Sequence, residues 1–265
     1  MADVRRIFAM GGGGFTMEPE NPALDEHILA LTGRAEPRLL FLPTASGDAE
    51  RQVARFHHTY DDRPCQAGVL SLFRLGETGG VSLRDLVLTQ DVVYVGGGSM
   101  RSLLAIWREY GLDVILREAW ERGVLLAGLS AGAMCWFSGG VTMSTGVPAP
   151  VRGLGLLPWS LIVHADGDPG RLPVFEDAVA TGFLPPGWAA DDGVGLLFEG
   201  TELVRTVSSR PRARAVRVDP DEAGVVRTPV LPSLLTAAPR HERPVAGDVL
   251  EFRRSRLVAR PRGSR

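Results

Sequence analysis

VLLAGLSAGAMCWF, residues 124–137, opens as an apolar, branched run that suits a strand buried on both faces and passes directly into a helical run. At its centre Gly128-Leu129-Ser130-Ala131-Gly132 fits G-x-S-x-G, the elbow at which a strand gives way to a helix on a serine. So sharp a turn puts the serine in a strained backbone conformation, and a glycine on either side removes the Cβ atoms that would clash. The Ser130 hydroxyl is thereby exposed near the positive end of the following helix, and the Ala131 amide can donate to an oxyanion. Ser130 is the candidate nucleophile, and Ala131 one candidate oxyanion donor.

The chain on either side of this elbow alternates strand and helix. Arg6–Met10, Leu39–Leu42, Val69–Phe73, Val92–Val95 and Leu161–Val163 read as further strands. Met100, Leu103, Leu104 and Trp107 recur at helical spacing after Ser99, a suitable N-cap, and Leu112, Ile115, Leu116 and Ala119 repeat the pattern. This alternation predicts an α/β fold with a mostly parallel sheet covered by helices on both faces, whose ligands sit outside the carboxyl ends of the strands. After about Pro185 the texture changes to short alternating runs, Val194–Phe198, Leu203–Val207, Ala215–Val218 and Val225–Leu231, which read as antiparallel strands. With no linker and no repeat, one domain over 1–265 is expected, with a core at about 6–200, a β-rich extension at about 190–252 and a solvated basic tail at 253–265.

Composition narrows the chemistry. The 265 residues are 45% hydrophobic, enough for a substantial core, and a net charge of −2 supplies no global positive field for nucleic acid or an anionic membrane. The 29 basic residues are all arginine. Without lysine, a Walker-type phosphate loop, Schiff-base and pyridoxal phosphate chemistry, and a Ser–Lys dyad are excluded. Cys65 and Cys135 stand far apart with no CxxC pair, so neither a disulfide framework nor a cysteine zinc site is indicated, and a reducing cytoplasm fits. No His/Asp/Glu cluster has metal spacing, and no metal or cofactor is expected. The apolar run in MADVRRIFAMGGGG is too short for a signal peptide, and no stretch approaches the ~20 apolar residues of a membrane span.

A serine nucleophile needs a base. His27, His57 and His58 lie in polar, helix-like segments that read as surface, and His241 in a charged stretch near the end. His164 closes the run Leu161–Val163 and so stands at the carboxyl end of a strand, which makes it the candidate general base. A second oxyanion donor is expected from the loop Gly96-Gly97-Gly98-Ser99, with Gly98 as the donor and Ser99 as a substrate contact. Gly11–Gly14 is a third glycine loop, but Thr16 prevents a G-x-G-x-x-G reading, and its role is to relieve crowding above the sheet. Cys135, one turn beyond the elbow, reads as core.

Taken together, VYVGGGSMRSLL (residues 93–104), LLAGLSAGAMCWF, the His164 loop, MGGGGF at the first strand and FLPTAS at 41–46 resemble the peptidase E family over roughly residues 6–200. These are serine peptidases that include α-aspartyl dipeptidases and are related to cyanophycinases. The resemblance implies a three-layer α/β sandwich like the class I glutamine amidotransferase domain, with Ser130 as nucleophile, His164 as base and cleavage after an N-terminal aspartate. The sequence departs from the family at one point. Ala131–Val163 contains no Asp or Glu, and Met143 stands where relatives often carry an acid. The third member, which would fix the imidazole tautomer, must therefore come from elsewhere, be replaced by a neutral hydrogen-bond acceptor, or be missing. Asp166, with a spacing that resembles H-x-E of the amidotransferases, and Asp192, in Asp191-Asp192-Gly193, are equal candidates. A carboxylate-binding pocket should hold a fixed arginine, for which Arg171 comes first and Arg101 second. The expected partner is a small peptide, with no nucleic acid and no membrane, on a monomer or homodimer in the cytoplasm. A cyanophycinase-like hydrolase of acidic peptides and a binding protein that has lost its triad acid are the rival expectations.

Overall fold

A computed structural model describes residues 4–77 and 80–236. Fourteen strands are present among them: β1 (Arg6–Met10), β2 (Arg38–Leu42), β3 (Gln66–Val69), β4 (Val92–Val95), β5 (Leu125–Leu129), β6 (Phe137–Thr142), β7 (Ala149–Arg152), β8 (Leu157–Val163), β9 (Gly187–Ala190), β10 (Val194–Glu199), β11 (Glu202–Ser208), β12 (Ala215–Asp221), β13 (Gly224–Val230) and β14 (Ser233–Leu234). Eight α-helices accompany them: α1 (Gly14–Met17), α2 (Ala23–Leu31), α3 (Glu50–Tyr60), α4 (Leu83–Leu88), α5 (Met100–Glu109), α6 (Leu112–Glu121), α7 (Ala131–Met134) and α8 (Arg171–Ala180).

The strands form two mixed sheets where the alternation of the sequence led to one. The first has eight strands in the order β14-β11-β10-β1-β5-β4-β2-β3; β3, β2, β4, β5 and β1 are parallel neighbours, and β10 joins β1 antiparallel. The second has six, β13-β12-β9-β8-β6-β7, with β6, β8 and β9 parallel and the rest antiparallel. The reason for the division lies just after the elbow. Returning to a parallel position in the same sheet takes a crossover of a dozen or more residues, whereas α7 has 4 residues and leads almost at once into β6. The chain therefore starts a new sheet. Gly140 allows the close approach this requires, since a Cβ there would lie 2.1 Å from the Leu161 carbonyl oxygen of β8.

Side chains sort by the period of two along the central strand β1. Ile7 and Ala9 join Leu103, Trp107, Leu116 and Trp120 of α5 and α6, together with Leu161, Val163 and Trp188 of the second sheet. Phe8 and Met10 face the opposite way, into Phe15, Leu24, Phe41, Phe56 and Tyr94 against α2 and α3. The outer face of the second sheet is closed by Phe175 and Val179 of α8, packed on Val141, Ile162, Ala189 and Val218.

Helices α5 and α6 fall where the periodicity placed them, and Ser99 caps α5 by accepting the Ser102 amide at 3.2 Å. The expected strand Val69–Phe73 is displaced. Pairing with β2 uses Gln66–Val69, and Leu72–Glu77 is a 3-10 turn whose buried Leu72 supplied the apolar signal. The antiparallel extension divides between the sheets, β10 and β11 widening the first, β12 and β13 the second. Residues of the extension beyond 236, the basic tail at 253–265 and His241 lie outside the described residues.

Candidate active site

The elbow is built by close approach of backbone to backbone. A Cβ on Gly128 would lie 2.2 Å from the Gly132 carbonyl oxygen, and one on Gly132 would lie 2.3 Å from that of Val95. Neither position admits a side chain. Ser130, between them, has φ 54° and ψ −118°, and its amide donates to the Met10 carbonyl at 3.1 Å. Ala131 is the first residue of α7, so its amide has no partner within the helix.

His164 follows β8 and also has a left-handed backbone, φ 55°. Its amide donates to the Gly11 carbonyl at 3.2 Å, which ties the end of the second sheet to the end of β1 in the first. Across that junction the imidazole Nε2 is 2.9 Å from Ser130 Oγ. Nδ1 is 2.5 Å from Asp192 Oδ1, in the turn between β9 and β10. Outside turn chemistry a left-handed conformation costs on the order of 1–3 kcal/mol per residue, and such strain clusters where function over-determines it. Ser130 and His164 carry it together. Both the His164 and Asp192 side chains are sheltered, 23% and 17% exposed.

Of the two candidate acids, Asp192 meets the imidazole. Asp166 stands one step back, its Oδ1 accepting the Asp192 amide at 3.0 Å. The glycine loop after β1 forms the wall behind this pair: a Cβ on Gly12 would lie 2.0 Å from Asp192 Oδ1 and 3.0 Å from His164 Cε1, and one on Gly11 would lie 2.3 Å from the Asp191 carbonyl oxygen. Relief of crowding is thus the work of this loop, and what crowds it is the site itself.

The glycine loop after β4 comes to the other side of the serine. A Cβ on Gly97 would lie 3.2 Å from Ser130 Cβ, while Gly98, φ 146°, is hemmed by Ala45, whose carbonyl oxygen would lie 2.1 Å from its Cβ. The Ser99 hydroxyl is occupied in the α5 cap, 2.9 Å from Ser102 Oγ. Arg171, in the first turn of α8, is only 7% exposed and donates from Nη1 to the Val163 carbonyl at 2.8 Å, bracing the strand end that carries His164. Its Nε is buried without a hydrogen-bond partner among the described residues, 3.8 Å from Asp168 Oδ2. Arg101 is exposed and donates to the Pro150 carbonyl at 3.5 Å.

The sequence profile of peptidase family S51 matches residues 7–206. The chain belongs to peptidase family S51. This is the family of peptidase E and cyanophycinase. A Bacillus subtilis (strain 168) relative, Uncharacterized peptidase YgaJ, is 47% identical over 227 residues, which cover 86% of this chain and 97% of the relative. Among solved structures, that of a peptidase from an acI-B1 Actinobacterium superposes with a TM-score of 0.68 at 19% identity, covering 87% of this chain and 96% of the other. The chain is therefore a hydrolase of the peptidase class on an S51 fold.

Other titratable groups of this S51 peptidase fall outside the serine–histidine line. Cys135 is buried, its thiol donating to the Gly132 carbonyl at 3.2 Å, and burial pushes that thiol well up, so it stays protonated as a core residue. His57 bonds Asp61 at 3.1 Å on the surface. His27, read as a surface residue, is instead half-buried, its ring 5.3 Å from Phe8. Among the described residues no group of three or more His, Cys, Asp or Glu side chains is arranged to hold a metal ion, and no helix is long and apolar enough to cross a membrane.

One part of the site had no signal in the sequence. Arg210, between β11 and β12, bonds through Nε to Glu18, a residue 192 positions away. Ser209 Oγ donates to the same carboxylate at 2.7 Å. Burial works against the Arg210 charge, but the bond to Glu18 and the charges of Glu18, Asp192 and Asp166 outweigh it and raise its pKa above the usual arginine value. No spacing rule joins groups so far apart.

Proposed function

We propose that this S51 peptidase is a serine dipeptidase that hydrolyses dipeptides or short peptides with an N-terminal aspartate. Ser130 Oγ attacks the peptide carbonyl as His164 Nε2 accepts its proton. Asp192 holds Nδ1–H, which fixes the tautomer and stabilises the imidazolium. The amides of Ala131 and of the glycine loop, Gly98 in the sequence reading, receive the oxyanion. The imidazolium then protonates the leaving amine, and water releases the acyl group from Ser130 by the same steps in reverse.

The observation that carries this reading is the unbroken line from Ser130 Oγ through the His164 ring to Asp192 Oδ1, at 2.9 and 2.5 Å. It also weakens the rival reading of a binding protein without a triad acid, because an acid that follows the histidine in sequence suffices. The preference for aspartate rests on the resemblance to α-aspartyl dipeptidases and on Arg171, whose buried Nε has no hydrogen-bond partner among the described residues. On the same footing we take residues 1–265 as one catalytic unit, monomeric or homodimeric, acting in the cytoplasm without metal or cofactor.

The test is release of free amino acids from Asp-Leu, Ala-Leu and Leu-Leu by the wild type and Ser130→Ala. Selective cleavage of Asp-Leu, abolished in the variant, is expected. Cleavage that survives Ser130→Ala overturns the nucleophile. Cleavage of Leu-Leu as fast as Asp-Leu overturns the specificity.

A further inference from the structure

Asp192 sits among carboxylates. Asp191 precedes it, Asp166 accepts its amide at 3.0 Å, and Glu18 lies beyond Arg210. The effect of this crowding is visible at Asp191, whose carboxyl is held above the usual range, first by burial and then by Asp166 and Asp192, against the Arg214 hydrogen bond and charge. Neighbouring like charges favour protonation, and a protonated Asp192 cannot stabilise the imidazolium that forms at His164.

Two guanidiniums face Asp192. Arg171 comes from α8 and is engaged with the Val163 carbonyl. Arg210 comes from the other side, its Nη1 3.9 Å from Asp192 Oδ2 and 3.9 Å from Asp166 Oδ2. Those separations are too long for hydrogen bonds but well within the reach of charge. Its Nε is bonded to Glu18, which Ser209 also holds, and Asn21 fixes that segment by donating to the Ser209 carbonyl at 3.0 Å. The stem reaches this place over Gly193, φ 82°, where a Cβ would lie 2.9 Å from Arg210 Cγ.

From this arrangement we infer that Arg210 is a positioning residue for Asp192: clamped by Glu18, it sets a counter-charge beside Oδ2 that holds the carboxyl group turned toward His164. The inference rests on the reading of Ser130, His164 and Asp192 as the triad.

The experiment follows the rate of inactivation by a fluorophosphonate against pH, which needs no knowledge of the substrate. Removing a cation from beside the His164–Asp192 pair raises the proton affinity of both members, so the acid limb moves to higher pH. In Arg210→Gln the limb is expected to move up by about one pH unit, with the rate near pH 6 about tenfold lower and the alkaline plateau within about threefold of the wild type. Arg210→Lys keeps the charge and restores the limb. Arg210→Met, which keeps the stem over Gly193, repeats the shift and serves where the glutamine variant does not fold. A lowered plateau with an unmoved limb in the folded Gln or Met variant overturns the role for Arg210 alone. Label that persists undiminished in Ser130→Ala overturns the triad, and the role of Arg210 with it.

Discussion

Two aspartates sheltered on either side of the first glycine loop meet opposite fates. Asp192 has Arg210 and Arg171 nearby and an imidazole at 2.5 Å. Asp25, at the start of α2, is completely enclosed; Tyr60 donates to its Oδ1 at 2.7 Å, while its Oδ2 and the Tyr94 hydroxyl have no hydrogen-bond partner among the described residues. Burial raises the Asp25 carboxyl to about 6, only partly opposed by the Tyr60 hydrogen bond and the charge of Arg63. The difference is one of depth first and of neighbours second. A carboxylate that keeps some access to water beside guanidiniums can serve as a fixed anion, whereas one shut away from water is poised to take up a proton.

Removing the charge of Asp192 while keeping its shape tests one side of this contrast most severely. Asp192→Asn is expected to lower hydrolysis about 10³- to 10⁴-fold by favouring the wrong imidazole tautomer, whereas Asp166→Asn should cost roughly tenfold because Asp166 supports the Asp192 amide without meeting the imidazole. Equal losses in the two variants would erase the distinction between them. Gly12→Ala introduces a Cβ whose place is 2.0 Å from Asp192 Oδ1, so the acid must move. A fall of about 10²-fold in kcat, with the far-UV circular dichroism retained, is expected from a displacement of that size.

The effect at Asp25 leaves catalysis aside and appears in stability. Its folded value of about 6 is above the 3.8 of an ordinary aspartate, so the stabilisation it contributes is full below about pH 4 and is lost as the pH rises through 6. Over that window the wild type should lose up to about 3 kcal/mol relative to Asp25→Asn. Urea unfolding of both proteins at pH 4.5 and 7.5 measures this. Parallel pH dependences would mean that Asp25 titrates as an ordinary aspartate and overturn the effect of its burial.

Legibility in the sequence follows the range of the interactions. Ser130, Gly128 and Gly132 were readable because the elbow is a local steric arrangement within five residues, and His164 because a strand end is recognisable from its own apolar run. The choice between Asp166 and Asp192 was not readable, since it depends on how the β9–β10 turn meets the loop after β1. The second sheet escaped for a related reason. Its strands β6, FSGGVT, and β9, GWAA, carry glycine and alanine where a strand usually carries branched residues, because neighbouring backbones pass too close for anything larger. A Cβ on Gly187, for example, would lie 1.9 Å from the Ser160 carbonyl oxygen. Arg210 and Glu18 lay furthest from reach, as one of 29 arginines finding a single glutamate through the finished fold.

The hydrogen bond from the His164 amide to the Gly11 carbonyl is a seam between the two sheets. A chain in which only the first sheet has formed presents a serine on a bent turn with nothing to take its proton. The 2.9 Å contact between Ser130 and His164 therefore belongs to neither sheet alone and exists only where both have formed and met along that seam.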